Sequence, residues 1–214
     1  MQAAEYDAWY QTFRGRWIGE TESGLLRRML GPRPGESLLD VGCGTGYFTR
    51  QFARADKLAV TGLDPNRDWL AFAERHAAGT ENYAGGSALA LPFADDSFDL
   101  ALSVTALCFV ADQRRALAEM LRVARRRVVL GLLNRHSLLY RQKGRGGGQG
   151  AYRGAHWHTA AEVRELFAGQ PVRNLRMAFA IFAPGGEWIA RHLESVLPAG
   201  LPLGSFLAVA ADVI

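Results

Sequence analysis

The chain has 214 residues, of which 49% are hydrophobic and 21% charged, and its formal net charge is +4. This length and composition exclude a disordered or fibrous protein and provide enough apolar residues for one sizeable core. The two cysteines form neither a disulfide framework nor a zinc spacing. No apolar stretch is long enough for a membrane span, and no signal-peptide pattern is present. We therefore expect a single domain over 1–214, located in the cytoplasm and without a membrane partner.

Residues 1–30 are predicted to form two amphipathic helices, because aromatic residues recur there at helical spacing. Strands are then predicted at 37–42, 58–63, 81–84, 98–104, 127–132, 172–182 and 205–213. Helices are predicted at 46–54, 66–78, 112–124, 159–168 and 187–197. Regular alternation of the two implies parallel pairing. The sequence predicts an α/β fold with a doubly wound, seven-stranded, mostly parallel sheet.

A glycine-dense turn follows the first predicted strand, which ends in Asp40. Gly42, Gly44 and Gly46 allow a sharp turn and a close approach of backbone to a ligand. The helix that follows presents free N–H groups to an anion. A dinucleotide fingerprint would require a third glycine at the position of Tyr47. The turn thus indicates a nucleotide cofactor and disfavours a nicotinamide-dependent oxidoreductase.

A second acid, Asp64, ends the second predicted strand. A carboxylate at this place can accept hydrogen bonds from both ribose hydroxyls of an adenosine cofactor. A structural alternative is that Asp64-Pro65-Asn66 caps the next helix, with Pro65 at its first position. The two roles are compatible with one geometry, so both stay open.

The run Asp40–Gly46 resembles motif I of class I S-adenosylmethionine-dependent methyltransferases, and the segment 86–100 is similar to the segment after strand 3 of that family. The resemblance covers roughly residues 36–132. It implies a Rossmann-like methyltransferase fold with an antiparallel last strand, S-adenosyl-L-methionine as cofactor and S-adenosyl-L-homocysteine as product. The implied cofactor contacts are Asp40, Gly42, Cys43, Gly44, Gly46, Asp64, Pro65, Ser87, Ala88, Leu89 and Thr105.

The adenine contact departs from the family's pattern. Many members carry an acid where this chain has Ser87 and Ala88, and that acid binds the adenine amino group. The Ser87 hydroxyl or a backbone group is expected to take over this contact.

An insertion at 134–158 follows the fifth predicted strand and contains a glycine-rich tract at 143–150. We expect a mobile loop on the substrate side, because the carboxyl ends of the strands carry the ligand site in this class of sheet. Within this loop and the N-terminal helical cap at 1–30, the candidate substrate-binding residues are Tyr6, Tyr10, Tyr152 and Trp157. The alternative is that the aromatic residues belong to the core.

An amine or hydroxyl acceptor requires a base to take its proton. The weak candidates are His136, Tyr152, His156 and His158, among which the sequence does not select. The pair His156 and His158 lacks the partners of a metal site, so no metal is expected.

The expected reaction is methyl transfer to an O, N, S or C nucleophile of a small organic molecule. The fourth predicted strand lacks the Asn/Asp-Pro-Pro-Tyr signature of enzymes that methylate adenine or glutamine amides. Arg122 and Arg125–Arg127 are assigned to a solvated helix end, so no nucleic-acid partner is expected. The alternative function is a non-catalytic S-adenosylmethionine-binding regulatory or partner subunit, and a monomer or homodimer is expected.

Overall fold

A computed structural model describes residues 2–214, except for the side chains of residues 55 and 56, so the first residue of the N-terminal cap lies outside it. The helices are α1 Ala3–Trp9, α2 Phe13–Leu30, α3 Tyr47–Asp56, α4 Arg67–Arg75, α5 Gln113–Val123, α6 Ala160–Phe167 and α7 Trp188–Val196. The strands are β1 Ser37–Val41, β2 Ala59–Asp64, β3 Glu81–Gly85, β4 Phe98–Val104, β5 Ala124–Leu133, β6 Val172–Ala180 and β7 Phe206–Val213. Within 2–214, no helix is both long and apolar enough to cross a membrane.

The strands form a seven-stranded sheet in the order β3-β2-β1-β4-β5-β7-β6. Strand β7 is antiparallel to β5 and β6, whereas the pairs among the first five strands are parallel. The predicted fold class and its antiparallel last strand are confirmed. The strand order reverses between β1 and β4, which opens a crevice beyond the carboxyl ends of these strands.

Both faces of the sheet are covered by helices. Leu38 and Leu39 of β1 are fully buried in opposite hydrophobic clusters, since successive strand side chains point to opposite faces. One cluster contains Leu117 and Met120 of α5, and the other contains Phe52 of α3. These two apolar layers hold the strands at fixed positions, and the carboxyl edge of the sheet is thereby a rigid base for a site.

The arginine cluster lies at the opposite, amino edge of the parallel strands. Strand β5 begins at Ala124, so Arg125, Arg126 and Arg127 belong to the strand and the helix-end interpretation is wrong for them. Each arginine pairs with a carboxylate: Arg122 with Glu119 at 2.8 Å, Arg125 with Asp99 at 2.9 Å, Arg126 with Glu36 at 2.7 Å and Arg127 with Asp212 at 2.6 Å. The cluster therefore ties neighbouring strand ends together and presents little unpaired positive charge.

The insertion 134–158 has more structure than its composition predicts. It forms three short helical turns, at Tyr140–Gly144, Arg145–Gly147 and Gly150–Tyr152. Its ends join the sheet, because the Asn134 N–H donates to the Ser205 carbonyl and the His158 N–H to the Leu133 carbonyl. The glycines make close packing possible: a Cβ on Gly148 would overlap the Tyr152 carbonyl.

Candidate functional site

A cavity of about 970 Å³ lies at the carboxyl edge of the sheet, at the crevice between β1 and β4. Its wall is formed by the glycine turn after β1, the end of β2, the segment after β3 and the end of β4. Residues of α1, α2 and the insertion 134–158 cover it. The volume is at the upper end of the range for small-molecule sites, which suits a cofactor together with a second small ligand.

The glycine turn is shaped by contacts with the protein's own side chains. Gly42 and Gly46 have φ of +77° and +79°, a region that other residues rarely adopt. A Cβ on Gly42 would overlap the Ala106 side chain, and one on Gly46 would lie 2.6 Å from the Tyr83 hydroxyl. Gly46 is the N-cap of α3 and is not part of the cavity wall, unlike the other predicted cofactor contacts.

Asp64 connects the glycine turn to the end of β2. Its Oδ2 accepts a hydrogen bond from the Gly44 N–H at 2.9 Å, and its Oδ1 accepts one from the Asn66 N–H at 2.8 Å. The side-chain cap of α4 is Asn66, whose Oδ1 accepts from two backbone N–H groups of that helix. The helix begins at Arg67, so the expected place of Pro65 at its first position is wrong. Each carboxylate oxygen of Asp64 retains capacity to accept a ribose hydroxyl.

Asp40 lies just before the glycine turn, and Cys43 belongs to the turn. Burial raises the pKa of Asp40 to about 7; the hydrogen bond from Thr49 opposes the shift, and the charge of Asp64 adds to it. The Thr49 hydroxyl donates to Asp40 Oδ2 at 2.7 Å and so joins β1 to α3. Burial also raises the pKa of the Cys43 thiol well above its usual range. Cys43 therefore contributes packing and no thiolate nucleophile.

The segment after β3 supplies a further part of the cavity wall. Ser87 Oγ accepts a hydrogen bond from the Leu89 N–H at 3.2 Å, which leaves the Ser87 O–H free to donate. Ala88 and Leu89 line the cavity beside it. Thr105, directly after β4, has φ of +56° and donates its N–H to the Gly131 carbonyl at 2.7 Å. This bond holds Thr105 in the cavity wall, next to Ala106, which lies against Gly42 of the glycine turn.

Helix α1 is attached to the glycine turn by an ion pair that sequence reasoning missed. Asp7 Oδ1 accepts from Arg50 Nη2 at 2.7 Å and from the Thr45 hydroxyl at 3.0 Å. Arg50 Nη1 donates in turn to the Thr45 carbonyl at 2.6 Å. Asp7 and Arg50 retain 14% and 10% side-chain exposure, so solvent screens the pair only weakly.

Aromatic rings complete the attachment of α1. The Tyr10 ring stacks on that of Tyr47 with centroids 3.7 Å apart, and the Tyr6 ring lies 5.0 Å from that of Trp69. Gly19 of α2 makes room for this stack, because a Cβ there would overlap the Tyr47 hydroxyl. Tyr6 and Tyr10 thus line the cavity while packing against Trp69 and Tyr47.

The other predicted substrate and base residues divide into two groups. Tyr152 lines the cavity, and burial raises its pKa to about 12. Trp157 is 3% exposed and packs between Tyr140 and Tyr152 in the core, outside the cavity wall. His136 is exposed and lies outside the cavity wall, and neither His156 nor His158 is part of it. The structure therefore places no candidate histidine in the main cavity.

His156 and His158 line a second cavity, of about 610 Å³, between α5 and α6. His158 Nε2 is 2.9 Å from Gln113 Oε1, and its Nδ1 is 4.0 Å from Cys108 Sγ. Burial lowers the pKa of His158 to about 4, and burial raises the pKa of Cys108 to about 12. Both groups are neutral near pH 7, so their contact is a packing interaction. Within residues 2–214 no cluster of histidine, cysteine or acidic side chains is arranged to hold a metal.

The fold and the site together define a Rossmann-like protein that binds an adenosine-containing cofactor. A model of the methyltransferase domain family matches residues 39–130. The uncharacterized protein Rv2003c of Mycobacterium tuberculosis is 35% identical over 98% of this chain and 71% of its own length. The chain belongs to the class I S-adenosylmethionine-dependent methyltransferases.

Solved structures share the fold. A Thermotoga maritima S-adenosylmethionine-dependent methyltransferase, described as a possible histamine N-methyltransferase, aligns with a TM-score of 0.79 at 24% identity over 99% of this chain and 96% of its own. A geranyl diphosphate C-methyltransferase from Streptomyces coelicolor, in complex with S-adenosyl-L-homocysteine, aligns with a TM-score of 0.66 at 18% identity over 90% and 78% of the two chains. The chain is therefore a methyltransferase, and its cofactor is S-adenosyl-L-methionine.

The attachment of α1 is testable by amide hydrogen exchange. Asp7→Ala removes a charged acceptor from two donors, and we expect the opening free energy of α1 to fall by about 1.5–3 kcal/mol. In an Arg50→Ala background the same substitution is expected to cost much less, because the ion pair is already absent. Equal effects of Asp7→Ala in both backgrounds would contradict the coupling.

The burial of His158 is testable by the pH dependence of stability. Its folded pKa of about 4 lies below the ordinary value of 6.5, so the unfolded chain binds a proton that the folded chain does not. The contribution of neutral, buried His158 to the free energy of unfolding is complete above pH 6.5. It is lost as the pH falls towards 4, by up to about 1.4 kcal/mol per pH unit. Urea unfolding at pH 7.5 and pH 5 should show that the free energy of unfolding falls less for His158→Gln than for the wild type and for the exposed control His136→Gln. Parallel pH profiles of all three proteins would rule this out.

Proposed function

We propose that this enzyme methylates a small organic acceptor that binds beside the cofactor in the cavity at the carboxyl edge of the sheet. The observation that carries the proposal is the cavity itself, which joins the glycine turn and Asp64 to a wall of aromatic and aliphatic side chains. Its apolar wall is more extensive than its polar wall, as is usual for small-molecule sites. A large polar substrate would require a broader and more polar surface.

The residues present fit the cofactor. Asp64 would hold the ribose, because its buried carboxylate borders the cavity and keeps acceptor capacity after its two backbone hydrogen bonds. Ser87, Ala88 and Leu89 would contact the adenine, and the glycine turn the methionine end. S-adenosyl-L-methionine supplies a methyl group that is already activated by its sulfonium, so the protein needs no covalent catalyst.

The residues of the chain contribute orientation and exclusion of water. Helix α1, held by Asp7 and Arg50, covers the cavity on the side of the glycine turn. Tyr152 covers it from the insertion 134–158, and Thr105 lies at the end of β4. Holding two reacting groups in one enclosed space lowers the entropic part of the barrier and keeps water from competing.

Two proteins of the same fold have names that refer to different kinds of nucleophile, so they support methyl transfer in general without choosing the atom. The Thermotoga maritima protein is described as a possible N-methyltransferase of histamine, and the Streptomyces coelicolor enzyme is a C-methyltransferase of geranyl diphosphate. Both names concern small organic molecules. They agree with the size and apolar character of the cavity in this chain.

The role of Asp64 is tested by titration calorimetry with S-adenosyl-L-homocysteine. Asp64→Ala should weaken binding by about 1.5–3 kcal/mol, the range for the loss of charged hydrogen bonds. Asp68→Ala is the matched control, since Asp68 is an exposed acid four residues away on α4. Unchanged affinity in a folded Asp64→Ala protein would remove the ribose assignment.

Turnover is tested by incubating the purified protein with S-adenosyl-L-methionine and a panel of small aromatic amines, phenols and thiols. We expect a methylated product and an equal amount of S-adenosyl-L-homocysteine with at least one class of acceptor, and a lower rate for Asp64→Ala at limiting cofactor. Cofactor binding without transfer to any acceptor, including those in an extract of small metabolites, would instead support the non-catalytic subunit.

A further inference from the structure

Glu22 is an acidic side chain on the apolar face of α2. It follows Ile18 by four residues and precedes the buried pair Leu25 and Leu26, so helical geometry places it on the face that packs against the sheet. Ile18 and Glu22 both form part of the cavity wall. The surface that Glu22 exposes therefore borders the ligand cavity rather than the outside of the molecule.

The carboxyl group of Glu22 has no polar partner among the side chains that the structure describes. Among residues 2–214, no hydrogen-bond donor or ion-pair partner reaches its carboxylate, and burial alone raises its pKa to about 8. Arg14 and Lys143 also line the cavity, but neither contributes to the pKa of Glu22. Buried carboxylates are usually paired, because an isolated charge in an apolar environment is costly. This one has its free acceptor capacity directed at the cavity.

The surroundings of Glu22 favour a cation over a neutral or anionic partner. The rings of Tyr6, Tyr10, Tyr47 and Trp69 belong to the same cavity wall, and the three tyrosine hydroxyls lie close enough for the charge of Glu22 to raise their pKa. Aromatic faces attract cations through the ring quadrupole, and a carboxylate adds an ion pair. A pKa of about 8 leaves Glu22 mostly protonated near pH 7 beside a neutral ligand, and an anion would be repelled by its ionised form. A cation in the cavity would instead stabilise the ionised carboxylate and lower that pKa.

We propose that Glu22 is the anionic partner of a protonated nitrogen that binds in this cavity. The inference rests on the proposed function, because it assigns the cavity to a cofactor and a small acceptor. An ammonium group can come from two sources, the amine of an acceptor or the amino-acid end of the cofactor. In the first case the enzyme prefers basic amines as acceptors; in the second Glu22 fixes the methionine end of the cofactor.

Glu22→Gln tests the proposal, since it removes the charge and preserves the shape. Glu20→Gln is the matched control, because Glu20 is an exposed acid on the same helix. Calorimetry on each protein uses two pairs of probes: S-adenosyl-L-homocysteine against 5′-methylthioadenosine, which lacks the amino-acid end, and 2-phenylethylamine against the neutral 2-phenylethanol. The second pair is measured with and without S-adenosyl-L-homocysteine, and thermal unfolding checks that the variants fold.

If the ammonium group belongs to the acceptor, Glu22→Gln should weaken the binding of 2-phenylethylamine about 10-fold or more, the loss expected for a charged hydrogen bond. The affinity for 2-phenylethanol should change by less than about 2-fold. If the ammonium group belongs to the cofactor, Glu22→Gln should weaken the binding of S-adenosyl-L-homocysteine to the same extent and leave the affinity for 5′-methylthioadenosine unchanged. The proposal is overturned if Glu22→Gln and Glu20→Gln bind all four probes as the wild type does, or if the wild type binds neither ammonium-bearing probe more tightly than the counterpart that lacks the ammonium group. Failure of the wild type to bind S-adenosyl-L-homocysteine would count against the proposed function, while the amine pair would still test Glu22.

Discussion

The hydrogen bond from the Gly44 N–H to the Asp64 carboxylate is the interaction on which the geometry of the site depends. It joins the turn after β1 to the end of β2 at 2.9 Å, and the second oxygen of the same carboxylate joins that end to the start of α4. A buried backbone N–H without an acceptor would cost about 1–3 kcal/mol, so this hydrogen bond stabilises the observed conformation of the turn. One side chain thus fixes the distance between the two strand ends that form one wall of the cavity.

Helix α1, which covers the cavity, is held by an ion pair and by ring stacking. Asp7 and Arg50 form a weakly screened ion pair, and Tyr10 stacks on Tyr47, so α1 is bound through a charge and a ring rather than through an extended apolar face. The enclosure has an electrostatic consequence: burial raises the pKa of both Asp40 and Glu22 above the usual range for carboxyl groups. Asp40 accepts a hydrogen bond from the Thr49 hydroxyl, whereas Glu22 has no such partner in the part of the chain that the structure describes. The two acids therefore differ in their surroundings: Asp40 is hydrogen-bonded within the fold, whereas Glu22 faces the cavity.

Local patterns in the sequence predicted the sheet and the cofactor turn well, and long-range contacts account for what they missed. Alternation of strands and helices and the order Asp40, glycine turn, Asp64 depend on neighbours in the chain. The ion pair of Asp7 with Arg50 joins residues 43 positions apart, and no sequence periodicity signals it. Glu22 did carry a signal, since an acid four residues after Ile18 interrupts an apolar helix face. Local composition also did not indicate that Trp157 and His158, at the end of the insertion 134–158, are buried outside the cavity wall, because contacts with distant residues decide where this segment packs.

The position of Trp69 has an optical consequence. Its indole packs over Gly44, where a Cβ would lie 3.1 Å from the ring, and it faces the Tyr6 ring across the cavity wall. An indole in such a place changes its emission when the polarity or the ring contacts beside it change. We therefore expect a ligand that enters this cavity to alter the fluorescence of Trp69, so that occupancy could be followed without any added label.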